Sequence, residues 1–407
     1  MIIKKCRSCS SKKLVKCLNL GDQALTGVFP KKKNEKITKG NLTLLYCKNC
    51  SLLQLSRNFD KNEMYGPNYG YMSSLNPTMI THLKSKAKKL QKQAYLKNSD
   101  CIIDIGSNDG TFLSFFEKKF FRVGVDPTIV KFHKKYDKGL VGISDFFSKE
   151  TLNKYKIFKK AKLITSIAMF YDLEDPVSFA KDIYESLDND GIWHFEQSYM
   201  PSMIKNVSYD TICHEHLEYY SLKSVKYILD KANFKIIDIG FNNINGGSFS
   251  LTVAKKNSKR FQGSKLVKWS LRKEDLFGYN NIDTIKDFAK KVLIHRKLFK
   301  NLIFNLKKMK KKVIGYGAST KGNVILQYCG LNDKQIPYIV DVNPYKRNRF
   351  TPGSKIKIIN DRDLKSKKPD YLIVLPWHFR EFIISKERKY LKNGGNIIFP
   401  LPEIEII

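Results

Sequence analysis

The chain has 407 residues and a formal net charge of +36, because 74 Lys and Arg residues outnumber 38 Asp and Glu residues. Hydrophobic residues make up 42% of it, which excludes a disordered protein and, at about 150 residues per domain, predicts two or three domains. No apolar segment approaches the roughly 18 residues of a membrane-spanning helix, so an integral membrane protein is excluded. The first ten residues lack the apolar segment of a signal peptide, and we expect a cytoplasmic protein.

The positive charge has two interpretations. It would attract a polyanionic partner such as nucleic acid or an anionic membrane. The alternative is a lysine-rich composition without functional meaning, which is favoured because short lysine clusters occur along the whole chain and no Arg-rich tract is present. Nucleic acid is therefore not the partner we expect, whereas an acidic small substrate is compatible with both interpretations.

Four of the eight cysteines form two C-x-x-C pairs, Cys6/Cys9 and Cys47/Cys50. In a cytoplasmic chain this spacing favours metal binding over disulfide bonds. Four thiolates complete a tetrahedral zinc site and leave no position open, so the zinc would be structural. Reduced structural thiols or a redox pair are the alternative. We predict a small zinc-binding domain over residues 1–75, with loop-like sequence between the two pairs.

Residues 61–80 are rich in Tyr, Gly, Ser and Pro and predict a binding loop that leads into a helix. Beyond it, apolar strands alternate with amphipathic helices, which predicts a parallel sheet with helical crossovers over residues 76–255. The expected elements are helix Thr81–Leu96, strand Cys101–Ile105, helix Thr111–Lys119, strands Arg122–Val125 and Lys162–Ile167, helix Pro176–Leu187, and strands Gly191–Phe195, Lys235–Ile239 and Ser248–Ala254.

A long helix and a second α/β unit make up the remainder. Apolar residues recur at helical spacing from Ile282 to Lys312 without Gly or Pro, so we expect a helix that links two domains, within a linker of residues 256–312. The C-terminal unit, residues 313–407, is expected to contain strands Val313–Tyr316, Tyr338–Asp341, Tyr371–Leu375 and Asn396–Phe399. The predicted fold class is α/β, with two Rossmann-like domains.

A glycine-rich turn follows the first strand of the central domain, in the sequence DIGSNDGTFL. Glycine lets a ligand approach the backbone, and a helix N-terminus attracts an anionic group. The pattern resembles the first motif of class I S-adenosylmethionine methyltransferases, with an acid at the end of the next strand on the ribose. A nucleotide fold with another ligand is the alternative. The residues expected at the methyl donor are Asp104, Gly106, Ser107, Asn108, Gly110, Asp126 and Pro127, with Asp145 and Phe146 beside the adenine.

The segment YDTICHEHLEYYS concentrates His214, Glu215, His216 and Glu218 within five residues. The two histidines share a face if the segment is extended and could then bind a metal. Alternatively, a histidine held by a nearby carboxylate would transfer protons. A capped polar loop without chemistry is the third interpretation.

A second turn, GYGASTKGN, has the appearance of a degenerate dinucleotide turn, with Asp341 at the end of the following strand. Ser319, Thr320 and Lys321 in this turn suit phosphate oxygens. Simple packing of a strand against a helix is the alternative.

Together these segments resemble the sugar C-methyltransferases, which install a branch methyl group on nucleotide-linked deoxy-ketosugars. The resemblance covers nearly the whole chain and rests on the order of NYGYMSS, DIGSNDGTFL, FEQSYMPSMI, YDTICHEHLEYYSL, GGSFSLTVA, GYGASTKGN, DVNPYKRNRFTPG and VLPWHFREFI. It implies a zinc-binding N-terminal domain, a central class I methyltransferase domain and a C-terminal Rossmann-like domain. It also implies S-adenosylmethionine and structural zinc as cofactors, and a nucleotide-linked sugar between the last two domains.

The same resemblance implies roles for individual residues. His216 would be the general base, oriented by Glu215, with His214 as the next candidate, and Cys213 stands where the 3-C-methylating members carry Tyr. Tyr71 and Ser74 belong to a segment that resembles a lid over the cofactor. The residues expected to bind the substrate are Tyr69, Gly317, Ser319, Lys321, Arg347 and Arg349.

Three other functions remain as alternatives. An RNA methyltransferase would combine zinc, the methyl donor and the positive charge, but the sequence has no aromatic–basic RNA motif. A nucleotide-sugar oxidoreductase would use the C-terminal turn. A scaffold protein of polysaccharide assembly would use neither nucleotide fold.

Overall fold

The computed structural model describes residues 2–65, 69, 71–136 and 139–407, which form three β-sheets and their helices. The strands are β1 (Leu14–Ala24), β2 (Lys39–Cys47), β3 (Leu53–Leu55), β4 (Cys101–Ile105), β5 (Phe121–Val125), β6 (Leu140–Ile143), β7 (Ala161–Ile167), β8 (Leu187–Ser198), β9 (Glu218–Tyr219), β10 (Phe234–Asn242), β11 (Ser248–Lys255), β12 (Val313–Tyr316), β13 (Tyr338–Asp341), β14 (Lys357–Asn360), β15 (Tyr371–Val374), β16 (Asn396–Phe399) and β17 (Glu405–Ile406). The α-helices are α1 (Lys61–Met64), α2 (Pro77–Gln93), α3 (Thr111–Ser114), α4 (Ile129–Phe132), α5 (Lys149–Lys154), α6 (Pro176–Ser186), α7 (Met200–Lys205), α8 (Leu222–Lys231), α9 (Leu266–Leu276), α10 (Ile282–Lys308), α11 (Thr320–Tyr328), α12 (Leu364–Lys367), α13 (Arg380–Lys386) and α14 (Arg388–Lys392).

The N-terminal residues form an antiparallel sheet of order β1-β2-β3-β9. The prediction of loop-like sequence between the cysteine pairs is therefore wrong. Leu18 and Leu20 on β1 and Leu42 and Leu44 on β2 are buried and alternate with other residues, which is the period of a strand with one buried face. Two register shifts in β1 interrupt this pattern along the sequence. The fourth strand, β9, brings the end of the histidine-rich segment into this sheet.

The central sheet has the order β10-β11-β8-β7-β4-β5-β6. Strands β8, β7, β4, β5 and β6 are parallel, and β11 and β10 add an antiparallel edge. One face buries Ile103, Ile164, Trp193 and Phe195 in a continuous core. The prediction of a parallel sheet with helical crossovers is confirmed. The carboxyl ends of its parallel strands meet at one edge, where open α/β sheets bind ligands.

Two helices of the central domain differ from the prediction. Helix α2 begins at Pro77 rather than at Thr81, because the side chain of Asn76 caps it and accepts from the backbone N–H of Thr78 at 2.9 Å. Helix α3 ends at Ser114 instead of continuing to Lys119, because tight turns return the chain to the start of β5.

The C-terminal sheet has the order β14-β13-β12-β15-β16-β17 and is parallel except for β17. The second Rossmann-like unit is confirmed. Helix α10 ends at Lys308, four residues before the predicted end, where Met309 becomes its cap. Among the described helices, none is long and apolar enough to cross a membrane.

Helix α10 is a shared wall rather than an isolated connection between domains. Its buried face includes Phe288, Val292, Phe299 and Ile303, and these residues belong to one hydrophobic core with both the N-terminal and the C-terminal sheet. The division of the chain at residues 75, 255 and 312 stays a prediction, since the first and last units share this core.

Truncating the buried face of α10 should destabilise the protein. Phe299 is fully buried, so Phe299→Ala should lower the free energy of unfolding by about 3–5 kcal/mol. Leu298 is 57% exposed on the same helix, and Leu298→Ala is the matched control, with an expected change of less than about 0.5 kcal/mol. Urea denaturation measures both changes. Equal effects of the two substitutions would contradict the described packing.

Candidate functional site

The four paired cysteines converge on one point. The Cys6 and Cys50 sulfurs are 3.6 Å apart, those of Cys9 and Cys47 are 3.5 Å apart, and all four lie within 4.8 Å of one another. A tetrahedral zinc ion with Zn–S bonds of about 2.3 Å places its sulfurs about 3.8 Å apart, so the donor set fits zinc. Among the described residues, the histidine-rich segment forms no comparable cluster.

Local hydrogen bonds hold the first cysteine pair in place. The Cys6 carbonyl accepts from the backbone N–H of Ser10, which has a φ of 57°. The side-chain amide of Gln54, on β3, donates to the Cys6 sulfur at 3.2 Å. The carbonyl of the same amide accepts from the backbone N–H of Arg7 at 3.1 Å. Such partners orient metal ligands and connect the cysteine cluster to the N-terminal sheet.

A cavity at the carboxyl ends of β4 and β5, here called the turn cavity, is built around the first glycine-rich turn. Gly106 has a φ of 74°, which favours glycine. The Asp126 carboxylate accepts from the backbone N–H of Asn108 at 2.9 Å and from the Thr128 hydroxyl at 2.6 Å. Nine of the predicted donor-binding residues line this cavity, namely Tyr71, Asp104, Gly106, Ser107, Asn108, Asp126, Pro127, Asp145 and Phe146.

Ser74 and Gly110, which were also predicted, support the turn from outside the cavity lining. The backbone N–H of Ser74 donates to Asp109 at 3.2 Å. A side chain at Gly110 would meet the Tyr136 ring at 3.3 Å. The neighbouring Ser73 lines the cavity instead, and its backbone N–H donates to the Asn108 side chain at 3.1 Å.

Two buried carboxyl groups in the turn cavity have opposite pKa shifts. Burial raises the pKa of Asp104 to about 7, although the Thr165 hydroxyl donates to it at 2.6 Å. Burial also opposes ionisation of Glu196, but His82 at 2.6 Å and Lys86 at 2.8 Å lower its pKa to about 2. Glu196 is therefore ionised and paired, whereas Asp104 titrates near neutrality.

A second cavity, here called the histidine cavity, lies between the central and C-terminal sheets. It contains the predicted residues Tyr69, Glu215, His216, Ser319 and Lys321, and in addition Tyr171, Lys346 and His378. Six residues line both cavities, namely Tyr69, Tyr71, Met79, Ala168, Asp172 and Asn245. The two cavities are therefore adjacent, and these six residues, here called the shared wall, lie where they meet.

His216 faces the histidine cavity with a fixed ring orientation. Its Nδ1 lies 2.8 Å from the Thr211 carbonyl, which can only accept, so Nδ1 carries the proton and Nε2 has a free lone pair. Burial, with the nearby charge of Lys321, lowers the pKa of His216 to about 3. The Tyr171 ring packs on the imidazole at a centroid distance of 4.2 Å. The ring is thus neutral at pH 7.

Glu215 and Lys321 also line the histidine cavity. The bond that orients His216 goes to the Thr211 carbonyl and not to Glu215, which was expected to hold the ring. Glu215 accepts from the Thr26 hydroxyl at 3.4 Å, and burial raises the pKa of its carboxyl group. The Lys321 ammonium donates to the Asn245 carbonyl at 2.7 Å, and burial lowers its pKa. Lys321 lies in the first turn of helix α11, and the Ser319 side chain caps this helix by accepting from the backbone N–H of Gly322 at 2.9 Å.

His214 lies away from the histidine cavity. Its Nε2 is 3.1 Å from the Gln23 carbonyl, and its ring packs edge-on against Phe59 at 4.7 Å. Burial lowers its pKa to about 4. The idea that the two histidines share one face does not hold, because the segment before β9 is turned rather than extended.

Three of the predicted substrate residues do not line the cavity. Gly317 has a φ of 81°, and a side chain there would meet Pro376 at 2.6 Å, so this glycine shapes the turn. The Arg349 guanidinium donates to the Phe29 carbonyl at 2.9 Å. Arg347 is exposed.

The sequence analysis missed four lining residues: Gln197 in the turn cavity, Lys346 and His378 in the histidine cavity, and Asp172 in both. Asp172 follows β7, and an acid beyond a parallel strand is a signal that could have found it. Gln197 ends the motif FEQ on β8, and neither its amide nitrogen nor its carbonyl oxygen has a partner among the described residues. Lys346 and His378 are brought to the cavity by loops, and no local pattern marks them.

Three family models match the chain in succession. A zinc binding domain model matches residues 6–65, a methyltransferase domain model matches residues 79–239, and a model of the C-methyltransferase C-terminal domain matches residues 243–402. The C-methyltransferase NovU from Streptomyces niveus is 27% identical over 409 residues, which is 100% of this chain and 97% of NovU.

Solved methyltransferases align with part of the chain. One from Clostridium acetobutylicum, described as dependent on S-adenosylmethionine, gives a TM-score of 0.34 and 15% identity over 43% of this chain and 92% of its own. The plantazolicin methyltransferase BpumL, solved with SAH, gives a TM-score of 0.31 and 14% identity, and the alignment covers 44% of this chain and 86% of BpumL. At such TM-scores these alignments carry no argument, and the assignment rests on the family models and NovU.

The sheet, the turn and the matching model define an S-adenosylmethionine-dependent methyltransferase. Within that class, the chain matches the zinc-binding, methyltransferase and C-methyltransferase C-terminal models in succession and is similar to NovU along its whole length. The predicted family, the enzyme class and the two cofactors are confirmed.

We expect one zinc ion per chain on Cys6, Cys9, Cys47 and Cys50, measured by metal analysis of protein purified under reducing conditions without chelators. Cys50→Ser should abolish stoichiometric zinc, because the site loses one of its four thiolates. Cys17, which lies outside the cluster, provides the control, and Cys17→Ser should retain the metal. Zinc-free wild-type protein would contradict this assignment.

Substitution of Asp126 should weaken binding of the methyl donor. Asp126→Ala removes a charged acceptor worth roughly 1.5–3 kcal/mol, so affinity should fall by about tenfold or more in calorimetry. Thr128→Ala is the control, because it removes a hydroxyl partner but leaves the carboxylate, and it should change affinity by only a few-fold. Unchanged affinity in Asp126→Ala would argue against this cavity as the donor site.

Proposed function

We propose that the enzyme methylates a carbon atom of a nucleotide-linked keto-deoxysugar, with the methyl donor in the turn cavity and the sugar in the histidine cavity. The observation that carries this proposal is the shared wall of six residues between the two cavities, with the His216 ring on the acceptor side. Family membership supports methyl transfer to carbon. S-adenosylmethionine, when bound, supplies an electrophilic methyl group.

His216 would remove the proton next to the sugar carbonyl. A carbon becomes a nucleophile only when such a proton is lost, and a neutral imidazole is the appropriate acceptor near pH 7. The Thr211 carbonyl holds Nδ1–H at 2.8 Å and leaves Nε2 for this task. The imidazolium that forms would be stabilised by the Glu215 carboxyl group when that group is ionised.

Lys321 supports the negative charge that appears on the carbonyl oxygen. It lines the histidine cavity, and its hydrogen bond to the Asn245 carbonyl engages one of three ammonium hydrogens. A fixed cation in a buried site stabilises a developing enolate more strongly than water would. This position also explains why the charge of Lys321 lowers the pKa of His216 in the absence of an anion.

The nucleotide linkage is supported by the cationic side of the same cavity. Lys346 lines it beside Ser319, Thr320 and the N-terminus of α11. The Lys346 ammonium donates to the Ala318 carbonyl at 2.8 Å, which holds it over the turn. Ammonium groups and helix N-termini both favour phosphate oxygens.

Substitution of His216 tests the proposal. His216→Asn should reduce turnover by roughly 10² to 10⁴, the usual contribution of a positioned proton acceptor, with the affinity for the methyl donor retained. Turnover is measured by mass spectrometry as the gain of one methyl group on a panel of nucleotide-linked keto-deoxysugars. In deuterium oxide without methyl donor, the native enzyme should exchange the substrate α-hydrogen, and the variant should not.

Cys213→Ala is the matched control. Cys213 is buried three residues before His216 and does not line the histidine cavity, so turnover should stay within a few-fold of the native value. A thiol is also a weaker hydrogen-bond donor than the phenol of Tyr. Robust methyl transfer by His216→Asn would place the base elsewhere, and failure of every sugar in the panel would reject the proposed acceptor.

A further inference from the structure

Asp172 occupies an unusual position in the wall shared by the two cavities. Tyr65 donates to Oδ2 of its carboxyl group at 2.9 Å. The other oxygen, Oδ1, is buried and has no hydrogen-bond partner among the described residues. A buried acceptor without a partner is costly, so this oxygen is suited to a ligand group.

The other carboxyl groups of the turn cavity already have partners. Asp104 is bonded to Thr165, and Asp126 to Asn108 and Thr128. Asp145 pairs with Lys154 at 2.9 Å, and Glu196 pairs with His82 and Lys86. Of the described residues that line this cavity, Asp172 alone combines a carboxyl group with a buried oxygen that lacks a partner.

The groups around Asp172 disfavour its ionised form. Its electrostatic neighbours are Tyr65, Tyr69, Tyr171, Tyr219, the Cys213 thiol and the carboxyl groups of Glu215 and Glu218. The lysines that line the same cavities, Lys61 in the turn cavity and Lys321 and Lys346 in the histidine cavity, are not among the main influences on its pKa. Burial, reinforced by Glu215 and Glu218, raises the pKa of Asp172 well above its usual range. The raised pKa favours the protonated form, and a positive charge brought next to the carboxyl group favours the ionised form.

We propose that Asp172 releases its proton when S-adenosylmethionine binds and that its carboxylate then pairs with the sulfonium of the methyl donor. The O–H bond of the carboxyl group breaks, the proton passes to the buffer, and the negative charge stays opposite the fixed positive charge of the ligand. This inference rests on the turn cavity as the donor site but not on the identity of the acceptor.

Such a pair would distinguish the substrate from its product. The sulfonium of S-adenosylmethionine is positive, whereas the thioether of S-adenosylhomocysteine is neutral, and the two ligands share the adenosine and the amino-acid group. After transfer the attraction disappears and the carboxylate is left unpaired in a buried site, which favours release of the product. Asp172 lines both cavities and therefore lies on the side of the turn cavity that adjoins the histidine cavity.

Calorimetry of the full-length enzyme tests this proposal with both ligands. Asp172→Asn keeps the size of the side chain but cannot carry the charge. It should lower the affinity for S-adenosylmethionine by about tenfold or more, the value of one charged partner, and leave that for S-adenosylhomocysteine within a few-fold. Equal losses for both ligands would overturn the proposal, because they would indicate contact with the shared ammonium group or a structural role. No loss for either would also overturn it.

Proton release is the second readout. In two buffers of different ionisation enthalpy at neutral pH, binding of S-adenosylmethionine to the native enzyme should release a proton that S-adenosylhomocysteine does not release. The affinity ratio of the two ligands should rise with pH, because ionisation costs less as pH approaches the raised pKa of Asp172. Absence of this difference would overturn the proposal.

Two control variants separate charge from fold. Asp145→Asn removes another cavity carboxylate, at the adenine end, and should affect both ligands equally. Tyr65→Phe removes the hydroxyl partner but keeps the carboxyl group and should retain the preference for S-adenosylmethionine. Loss of that preference in Asp145→Asn would contradict the assignment to Asp172. If the native enzyme bound neither ligand, the proposed donor site itself would fail, a distinct outcome.

Discussion

A short antiparallel pairing between β3 and β9 fixes the position of the histidine segment. Leu53 and Gln54 pair with Tyr219 and Glu218, only two residues beyond His216. The Gln54 amide also donates to the Cys6 sulfur, so the cysteine cluster and the segment that carries His216 are connected through one strand. Because the register of paired strands fixes which side chains face each side, loss of the metal should disturb the histidine cavity without any direct contact.

The two cavities differ in charge, and this difference follows their chemistry. The turn cavity has five carboxyl groups, those of Asp104, Asp126, Asp145, Asp172 and Glu196, and is suited to ribose hydroxyls and a cationic ligand. The histidine cavity adds Lys321 and Lys346, which suit an anionic one. The proposed nucleotide-linked acceptor would meet these two lysines, which agrees with the interpretation that most of the others reflect composition.

The C-terminal unit completes the histidine cavity, because it supplies Lys321, Lys346 and His378 to the lining. The Lys321 ammonium donates to the carbonyl of Asn245, which lies in the central domain. The Trp377 indole donates to the Asp210 carboxylate at 2.8 Å. Asn323 in α11 donates to the carbonyl of Thr26 at 2.7 Å, and the hydroxyl of the same Thr26 donates to Glu215. With the common hydrophobic core around α10, these bonds hold three sheets around one cavity.

The sequence determined much of this protein by itself. The cysteine pairs, the strands Cys101–Ile105 and Val313–Tyr316, the glycine-rich turn with Asp126, and the pair Glu215–His216 were all recognisable, because each is a local pattern in which nearby residues act together. The same local patterns led to the family and its cofactors.

Only the tertiary structure decided the rest. It turned His214 toward Gln23, whereas His216 bonds Thr211. The segment is irregular, so no sequence periodicity predicts the directions in which its side chains point. It brought Lys346 to a cavity that Arg347 does not line, since a loop's course depends on the sheet that it follows. It left Asp172 with a buried, unpartnered oxygen, because burial arises from distant segments whose contacts no short stretch of sequence encodes.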